Sequence, residues 1–190
     1  MRNIMQKIEM NPPKIITIGA LLFFMFLTRF SHELTSFSMP DASLIIFFAA
    51  GLLFKPARLL ALFIFTIIFI DSLVIYKENY TEIGLLNVGY LLHLSIYPLA
   101  WFVASRLKIT NFSTFSQSIL WVILLSFLIS YGSHYYLYIL SSSTAYSLLS
   151  FFQDNLWTYL LSNIGYAIIL FVILKVIRSH ERVGLEVRSN

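Results

Sequence analysis

The stretch PDASLIIFFAAGLLFKPARLLALFIFTIIFIDSLVIYK, residues 40–77, decides the fold class of this chain. It holds two apolar runs, 40–54 and 57–76, with Lys55 and Arg58 in the short segment between them. Apolar runs of this kind are typical of helices that enter or cross a bilayer. Because short loops rich in basic residues stay on the cytoplasmic side, we expect a helical hairpin whose turn faces the cytoplasm.

Four more apolar runs flank this hairpin, and the six together predict an all-α integral membrane protein. The predicted spans are 15–30, 40–54, 57–76, 83–104, 116–140 and 156–177. Of the 190 residues, 58% are apolar and 12% are charged, whereas soluble domains have about 45–50% and about 25%. Six spans of about 20 residues use about 120 residues. Residues 1–190 are therefore expected to form a single transmembrane domain with short loops.

The basic residues predict the orientation of the six spans. Threading the spans alternately leaves only Arg29 and Lys77 on one face. The other face receives Arg2, Lys7, Lys14, Lys55, Arg58, Arg106, Lys108, Lys175, Arg178, Arg182 and Arg188. Both termini should therefore be cytoplasmic. These loops also explain the net charge of +4, so it does not indicate a nucleic-acid partner, and the lipid bilayer is the expected environment.

The second span is predicted to start below the outer membrane surface. The segment 38–41, Ser-Met-Pro-Asp, is a helix-start pattern. From Pro40 to Phe54 a helix measures about 22 Å, whereas the hydrocarbon core is about 30 Å thick. Lys55 holds the inner end at the cytoplasmic surface. Backbone before the helix then lies at a depth where it must be covered by protein or face a wet cavity, which predicts an outward-facing polar pocket.

Most acidic residues belong to the outer side by the same threading. They are Glu33, Asp41, Glu78, Glu82 and Asp154. Asp71 differs because it lies inside the third span, where a carboxylate costs about 2.5–3.5 kcal/mol on insertion scales. We expect it in a pocket or polar network, or in a structural hydrogen bond to a neighbouring helix. Arg29 either snorkels to the outer interface or pairs with Asp41 or Asp71 and shapes the pocket.

Histidines and tyrosines supply further candidates. His93 lies in the middle of the fourth span, either as a structural residue or as a metal ligand. His134 lies near the outer end of the fifth span. The tyrosines around it are either an interfacial belt or a wall against a large flat ligand. They are Tyr131, Tyr135, Tyr136, Tyr138 and Tyr146.

Enzyme signatures are weak in this sequence. It has no cysteine, no Gly-x-Ser-x-Gly elbow and no glycine-rich phosphate loop. No two histidines have the i, i+4 spacing of a helical zinc site. We therefore expect a protein that is not an enzyme and that has no resident cofactor.

Two stretches resemble BtuM-type proteins, the cobalamin-specific substrate-binding (S) components of energy-coupling-factor (ECF) transporters. Pro-Asp-Ala-Ser at 40–43, followed by Phe-Phe-Ala-Ala-Gly at 47–51, is similar to the start of that family's second helix. Gly-Tyr at 89–90, with Tyr97 and Trp101 after it, is similar to the family's Ala-Tyr…Ala-Tyr…Leu-Trp run. The resemblance implies six spans in a bacterial inner membrane, cobalamin as the transported substrate, and a coupling membrane protein with ATPases as partners.

The chain departs from the family at the metal ligand. A Cys ahead of the first Tyr coordinates cobalt in that family, and the aligned residue here is Leu85. Asn87 and Ser95 also replace a typical Thr and Pro. Three outcomes stay open: His93 or another histidine replaces the Cys, cobalamin binds without a protein ligand, or the substrate is a different molecule.

The sequence thus predicts the substrate-binding component of a vitamin uptake transporter, with cobalamin or a related corrinoid as the foremost candidate. The candidate binding residues are Arg29, His32, Asp41, Asp71, Asn87, Tyr90, His93 and Tyr97, with His93 as the candidate cobalt ligand. Two alternatives remain. One is a small membrane scaffold of the MreD-like kind without a ligand, and the other is an intramembrane enzyme that uses Asp71, His93 or His134.

Overall fold

Six α-helices make up most of the chain that the structure, a computed structural model, describes: residues 12–30, 39–77, 87–107, 112–140 and 147–189. The helices are α1 (Pro12–Arg29), α2 (Ser43–Phe54), α3 (Ala57–Lys77), α4 (Val88–Arg106), α5 (Phe112–His134) and α6 (Leu148–Ser189). A π-helix, Tyr135–Ile139, continues α5. No strand occurs in these ranges. The all-α prediction is therefore confirmed for the described residues.

Four of these helical segments are long and apolar enough to cross a membrane. They are Ala57–Lys77, Val88–Arg106, Phe112–Ile139 and Leu148–Ile173. Large apolar side chains such as Phe65, Trp121 and Leu161 are exposed on them, which suits a surface that faces lipid rather than water. These features indicate a multi-pass membrane protein.

Helix α2 is the centre of the bundle. Every residue from Ser43 to Gly51 is buried, and the helix contacts α1, α3, α4 and α6. A helix that is apolar all round is expected to be buried on all sides. A Cβ atom at Gly51 would lie 2.5 Å from the carbonyl oxygen of Trp101. Glycine therefore allows α2 and the backbone of α4 to pack in direct contact.

The start and end of α2 are fixed by local chemistry. The helix begins at Ser43 rather than at residue 40, because Asp41 Oδ1 accepts hydrogen bonds from Ser43 N at 2.9 Å and Ser43 Oγ at 2.6 Å. This carboxylate satisfies a donor that the first helical turn leaves free. The helix ends at Phe54, because the next residue, Lys55, has a φ of 53° and precedes a proline.

Two other helices start where side chains cap them. Helix α4 begins after Asn87, whose Oδ1 accepts from Tyr90 N at 2.7 Å; the predicted start at 83 lies outside the described residues. Helix α6 begins at Leu148 rather than at 156, with Ser147 Oγ accepting from Ser150 N at 3.2 Å. The predicted span 156–177 lies within this longer helix, because polar residues 153–155 resemble a loop in the sequence but form part of the helix.

Candidate functional site

Arg29, at the end of α1, makes hydrogen bonds to three other parts of the bundle. Its Nε donates to Asp71 Oδ1 at 2.6 Å and its Nη2 donates to Asp71 Oδ2 at 2.8 Å. Its Nη1 donates to Asp41 Oδ2 at 2.6 Å and to the hydroxyl of Tyr97 at 2.9 Å. A bidentate guanidinium–carboxylate pair is both strong and geometrically specific. The guanidinium therefore links α1 to α3, to α4 and to Asp41 in the segment just before α2.

The pairing of Arg29 decides between the two alternatives that the sequence left open. Its side chain is only 12% exposed, beside 15% for Asp71 and 38% for Asp41. A snorkelling arginine would extend its head group toward the interface, so that interpretation is wrong. Arg29 instead pairs with both carboxylates, and we call Arg29, Asp41, Asp71, Tyr90 and Tyr97 the Arg29 network.

Both carboxylates of the Arg29 network accept three hydrogen bonds. Besides the two bonds from Arg29, Asp71 Oδ2 accepts from the hydroxyl of Tyr90 at 2.8 Å. Asp41 accepts one bond from Arg29 and two from Ser43. A buried charge is tolerated when it is paired and its remaining lone pairs are satisfied. The two acids are thus held as acceptors in a fixed geometry.

A hydrogen-bonded chain runs from Arg29 into α5. The hydroxyl of Tyr97 lies 3.1 Å from His93 Nε2, and His93 Nδ1 lies 2.7 Å from Ser130 Oγ. Because a guanidinium only donates, Tyr97 accepts from Arg29 and its proton is free to bond to Nε2. Both ring nitrogens of His93 are engaged.

A cavity of about 800 Å³ opens beside this chain, between α4, α5, the π-helix and α6. We call it the larger cavity. Its aromatic and histidine walls are formed by Tyr90, His93, Tyr131, His134, Tyr138 and Phe151. Its amide and hydroxyl groups come from Asn87, Ser130, Ser133 and Asn155. The mixture of flat apolar walls and a few polar groups is typical of small-molecule sites.

The π-helix places Tyr138 on the wall of the larger cavity. The hydroxyl of Tyr138 donates to Asn87 Oδ1 at 3.2 Å. A Cβ atom at Gly89 would lie 2.7 Å from that hydroxyl, so a glycine makes room for the tyrosine against α4. π-Helices are rare and occur frequently at functional sites. Of the predicted tyrosine group, Tyr131 and Tyr138 line the cavity, while Tyr146 lies outside the described residues.

A second cavity, of about 300 Å³, lies between the segment before α2 and helices α4, α5 and α6. We call it the smaller cavity. His93, Ser130 and Tyr131 line both cavities, so these residues form a shared wall. Asn163 also lines the smaller cavity and is 3% exposed. Its Nδ2 donates to the carbonyl of Tyr159 at 2.9 Å, and its Oδ1 has no hydrogen-bond partner among the described residues.

Seven of the eight predicted binding residues lie together at this end of the bundle. Asn87, Tyr90 and His93 line the larger cavity, and Asp41, His93 and Tyr97 line the smaller one. Arg29 and Asp71 are held behind the tyrosines by the bonds described above. His32 lies outside the described residues.

The sequence interpretation took its eight binding residues from the first four spans and the segment after the first, and the structure places both cavities against α5 and α6 as well. The residues it missed include Ser130, Asn155 and Asn163. Asn155 lies just before the predicted sixth span, 156–177. Ser130 and Asn163 are polar residues inside predicted apolar spans, and such residues usually face the interior of a bundle. That signal was present in the sequence.

Metal binding finds limited support in this geometry. Within the described ranges, no group of three or more His, Asp or Glu side chains is placed to hold a metal ion. His93 lines the larger cavity, but a metal at either ring nitrogen would displace Ser130 or Tyr97. The alternative ligand position, Leu85, lies outside the described residues.

Neither a scan of protein-family models nor a search of curated proteins matches this chain. The geometry of the Arg29 network and of the two cavities is therefore what a proposed function has to explain.

Proposed function

We propose that this chain is the substrate-binding component of a vitamin uptake transporter and that it holds its substrate in the larger cavity. The observation that carries the proposal is the cavity of about 800 Å³, with aromatic walls and separate amide and hydroxyl groups. Ligand sites typically measure about 300–1,000 Å³ and combine an apolar lining with a few polar groups. The proposed substrate is cobalamin or a related corrinoid, which is captured and released without a chemical reaction.

The residues of the Arg29 network and of the cavities lie at or near the helix ends that the alternating arrangement of spans puts on the outer side. Arg29 ends α1, Asp41 precedes α2, and Tyr138 follows α5. Asp71 lies in the second half of α3, and His93 lies in the first half of α4. This is the pattern expected for a chain that crosses alternately six times. Because basic residues gather at the opposite ends, we propose that the cavities face outward and that both termini are cytoplasmic.

The length of α2 supports a position of the Arg29 network below the outer surface of the membrane. Its twelve residues span about 18 Å, compared with about 30 Å of hydrocarbon. With Lys55 at the cytoplasmic surface, the start of α2 lies within the membrane. Charges at that depth need partners or water. The pairing of Arg29 and the adjoining cavities supply both, which supports a wet site that opens outward from a bacterial inner membrane.

A corrinoid is a large, flat, partly apolar ring with amides around its rim. The flat faces suit the aromatic walls of the larger cavity. The rim amides can bond to Asn87, Asn155 and Ser133, which offer both donors and acceptors. The tyrosines that carry the family resemblance also lie here, since Tyr90 lines the larger cavity and Tyr97 the smaller one.

Binding by shape, without a protein ligand to cobalt, is the mode that we propose. A bond between cobalt and His93 would remove one of the two hydrogen bonds that the ring makes. Leaving a buried partner unsatisfied costs about 1–3 kcal/mol. A corrinoid that only stacks on the aromatic walls leaves both hydrogen bonds of His93 in place.

Uptake needs a step that turns the loaded site toward the cytoplasm. A coupling membrane protein and ATPases of an ECF module would supply it, because the sequence has no phosphate-binding loop of its own. An MreD-like scaffold would gain nothing from an aromatic cavity beside a charged network. The cavity therefore favours a binding function over a ligand-free structural role.

The test is a titration of the purified protein with cobalamin, followed by calorimetry and by the corrinoid absorption spectrum. We expect saturable binding of about one cobalamin per chain, without the spectral change that a new cobalt ligand would cause. Absence of binding to folded protein would remove cobalamin as the substrate. A spectral change that is lost in His93→Ala would contradict binding by shape alone.

Two serines offer a matched pair of variants for this titration. Ser133 lines the larger cavity and Ser95 is exposed on α4. Each donates to the carbonyl three residues earlier, at 2.9 Å and 2.6 Å respectively. Ser133→Leu fills cavity space and should weaken binding at least about tenfold, or about 1.4 kcal/mol. Ser95→Leu should leave affinity unchanged, and equal affinities would place the site elsewhere.

A further inference from the structure

The Arg29 network carries more negative than positive charge. One guanidinium faces the carboxylates of Asp41 and Asp71, and each carboxylate accepts from donors that include N–H groups. The positive N-terminal end of α2 offsets part of the remaining charge on Asp41. The network is nevertheless left with a net charge of up to −1, a deficit that one added positive charge would neutralise.

The sequence around this end of the bundle supplies little to correct the deficit. The connecting segments 31–38, 78–86 and 141–146 contain no Lys or Arg. By the threading, the outer side holds two basic residues, Arg29 and Lys77, against six acids. The acids are Glu33, Asp41, Asp71, Glu78, Glu82 and Asp154. A face with this excess of one sign raises the local concentration of cations.

Asn163 provides an independent observation inside the smaller cavity. The residue is 3% exposed and lines the same cavity as Asp41. Its nitrogen is committed to the carbonyl of Tyr159, and its oxygen has no partner among the described residues. A buried polar atom without a partner costs about 1–3 kcal/mol. An occupant that binds to an oxygen lone pair would remove that cost.

Two other polar groups of the smaller cavity also present lone pairs. Ser162 Oγ donates its proton to the carbonyl of Thr158 at 2.9 Å, which leaves its lone pairs for another group. Asp41 adds a carboxylate. Carboxylate, amide and hydroxyl oxygens are the ligands that hard cations prefer. With Asn163, the cavity therefore offers three kinds of oxygen ligand.

We propose that the smaller cavity binds one monovalent cation, held by Asp41, Asn163 and Ser162. The charge deficit of about one favours a monovalent ion, because divalent ions are usually bound by more carboxylates. A volume of about 300 Å³ has room for about ten waters at about 30 Å³ each. The cation is accordingly a partly hydrated metal ion or a small ammonium group. This site does not depend on the substrate proposed for the larger cavity.

The test measures the thermal unfolding temperature of the purified full-length chain, without corrinoid. N-methylglucamine chloride is replaced by NaCl, KCl or methylammonium chloride at constant ionic strength. A ligand that binds only the folded state stabilises it in proportion to RT ln(1 + [L]/Kd). We expect a saturable rise in unfolding temperature with at least one small cation. A rise with NaCl or KCl identifies a metal ion, and a rise with methylammonium alone identifies an organic ammonium group.

Two asparagines on α6 make matched variants. Asn155 and Asn163 each donate to the carbonyl four residues earlier, at 2.8 Å and 2.9 Å, but Asn155 lines the larger cavity. Asn163→Leu should raise the apparent Kd for the cation at least about tenfold, because the cation loses one of its oxygen ligands. Asn155→Leu should leave it unchanged, and Asn163→Asp should lower it.

Two results would overturn the cation proposal. One is an unfolding temperature that is the same in all four salts for the folded wild-type chain. The other is a cation response that Asn163→Leu and Asn163→Asp both leave unchanged, because the cation would then bind elsewhere. Neither result bears on cobalamin binding, which is measured separately.

Discussion

Removal of Arg29 should destabilise the protein more than removal of either acid. Arg29→Gln deletes two of the three hydrogen bonds to Asp71, a side chain that is 15% exposed. Breaking a buried pair by removing one partner costs about 3–5 kcal/mol. On the scale of soluble domains of similar size, where 1 kcal/mol shifts the unfolding temperature by about 2–4 °C, the expected drop is about 6–20 °C.

The acids provide the comparison. Asp41 is 38% exposed, and a solvent-exposed pair contributes about 0–1 kcal/mol, so Asp41→Asn should lower the unfolding temperature only slightly. Asp71→Asn leaves Arg29 with Asp41 as a partner and should cost about 1–3 kcal/mol. Because replacing a whole buried pair by apolar groups is often close to neutral, the double variant Arg29→Leu/Asp71→Leu should be more stable than Arg29→Leu alone.

The assay is thermal unfolding of each variant in the same detergent, monitored by tryptophan fluorescence and combined in a double-mutant cycle. We expect the coupling energy between Arg29 and Asp71 to be larger than that between Arg29 and Asp41. Additive effects of Arg29 and Asp71 would refute the reasoning, because residues that share a buried bond do not behave independently. The same conclusion would follow if Arg29→Gln were no more harmful than Asp41→Asn.

Two glycines support further predictions that use the same detergent-purified protein. Gly51→Ala puts a Cβ atom 2.5 Å from the carbonyl oxygen of Trp101 and should cost about 1–3 kcal/mol of stability. Gly165→Ala is its control, because nothing lies within 4 Å of a Cβ atom at that position and alanine is favoured over glycine in helices by up to about 1 kcal/mol. Equal unfolding temperatures for Gly51→Ala and Gly165→Ala would show that α2 and α4 are not in direct contact. Gly89→Ala pushes against the hydroxyl of Tyr138 at 2.7 Å and should weaken cobalamin binding about tenfold with little change in unfolding temperature. Unchanged affinity in that variant would remove Tyr138 from the site.

The sequence predicted the helices well because charges bound each apolar run. Lys55 and Arg58 mark the break between the second and third apolar runs, and in the structure α2 ends at Phe54 and α3 begins at Ala57. The starts were less accurate. Asp41 caps α2 from outside the helix, and the polar residues 153–155 lie inside α6. Hydropathy does not distinguish a polar helical turn from a loop, which explains the error at α6. The start of α2 depends on the hydrogen bonds of a single side chain, and hydropathy does not describe these either.

The candidate site was predictable in part. Pairing of Arg29 with Asp41 or Asp71 was one of the two predicted alternatives, and in the structure Arg29 bonds to both carboxylates. Which helices are neighbours depends on packing, so the predicted binding residues did not include any from α5 or α6, although the tyrosines of the fifth span were one possible ligand wall. The π-helix after His134 has no signature in the hydropathy pattern, although it puts Tyr138 at the larger cavity.

The central claim, an outward-facing cavity that holds a solute, is tested most directly by labelling of single cysteines. The chain has no cysteine of its own, so Ser133→Cys reports only on the larger cavity. Ser105→Cys is the control, because Ser105 lies near the C-terminal end of α4, whereas the larger cavity is lined by residues at the N-terminal end of that helix. In intact cells with a permeable outer layer, a membrane-impermeant maleimide should label Ser133→Cys, and cobalamin should slow that labelling. Ser105→Cys should react only after the inner membrane is permeabilised. Labelling of Ser105→Cys but not of Ser133→Cys from outside would contradict the proposed orientation, and labelling of Ser133→Cys that cobalamin does not slow would contradict the proposed site.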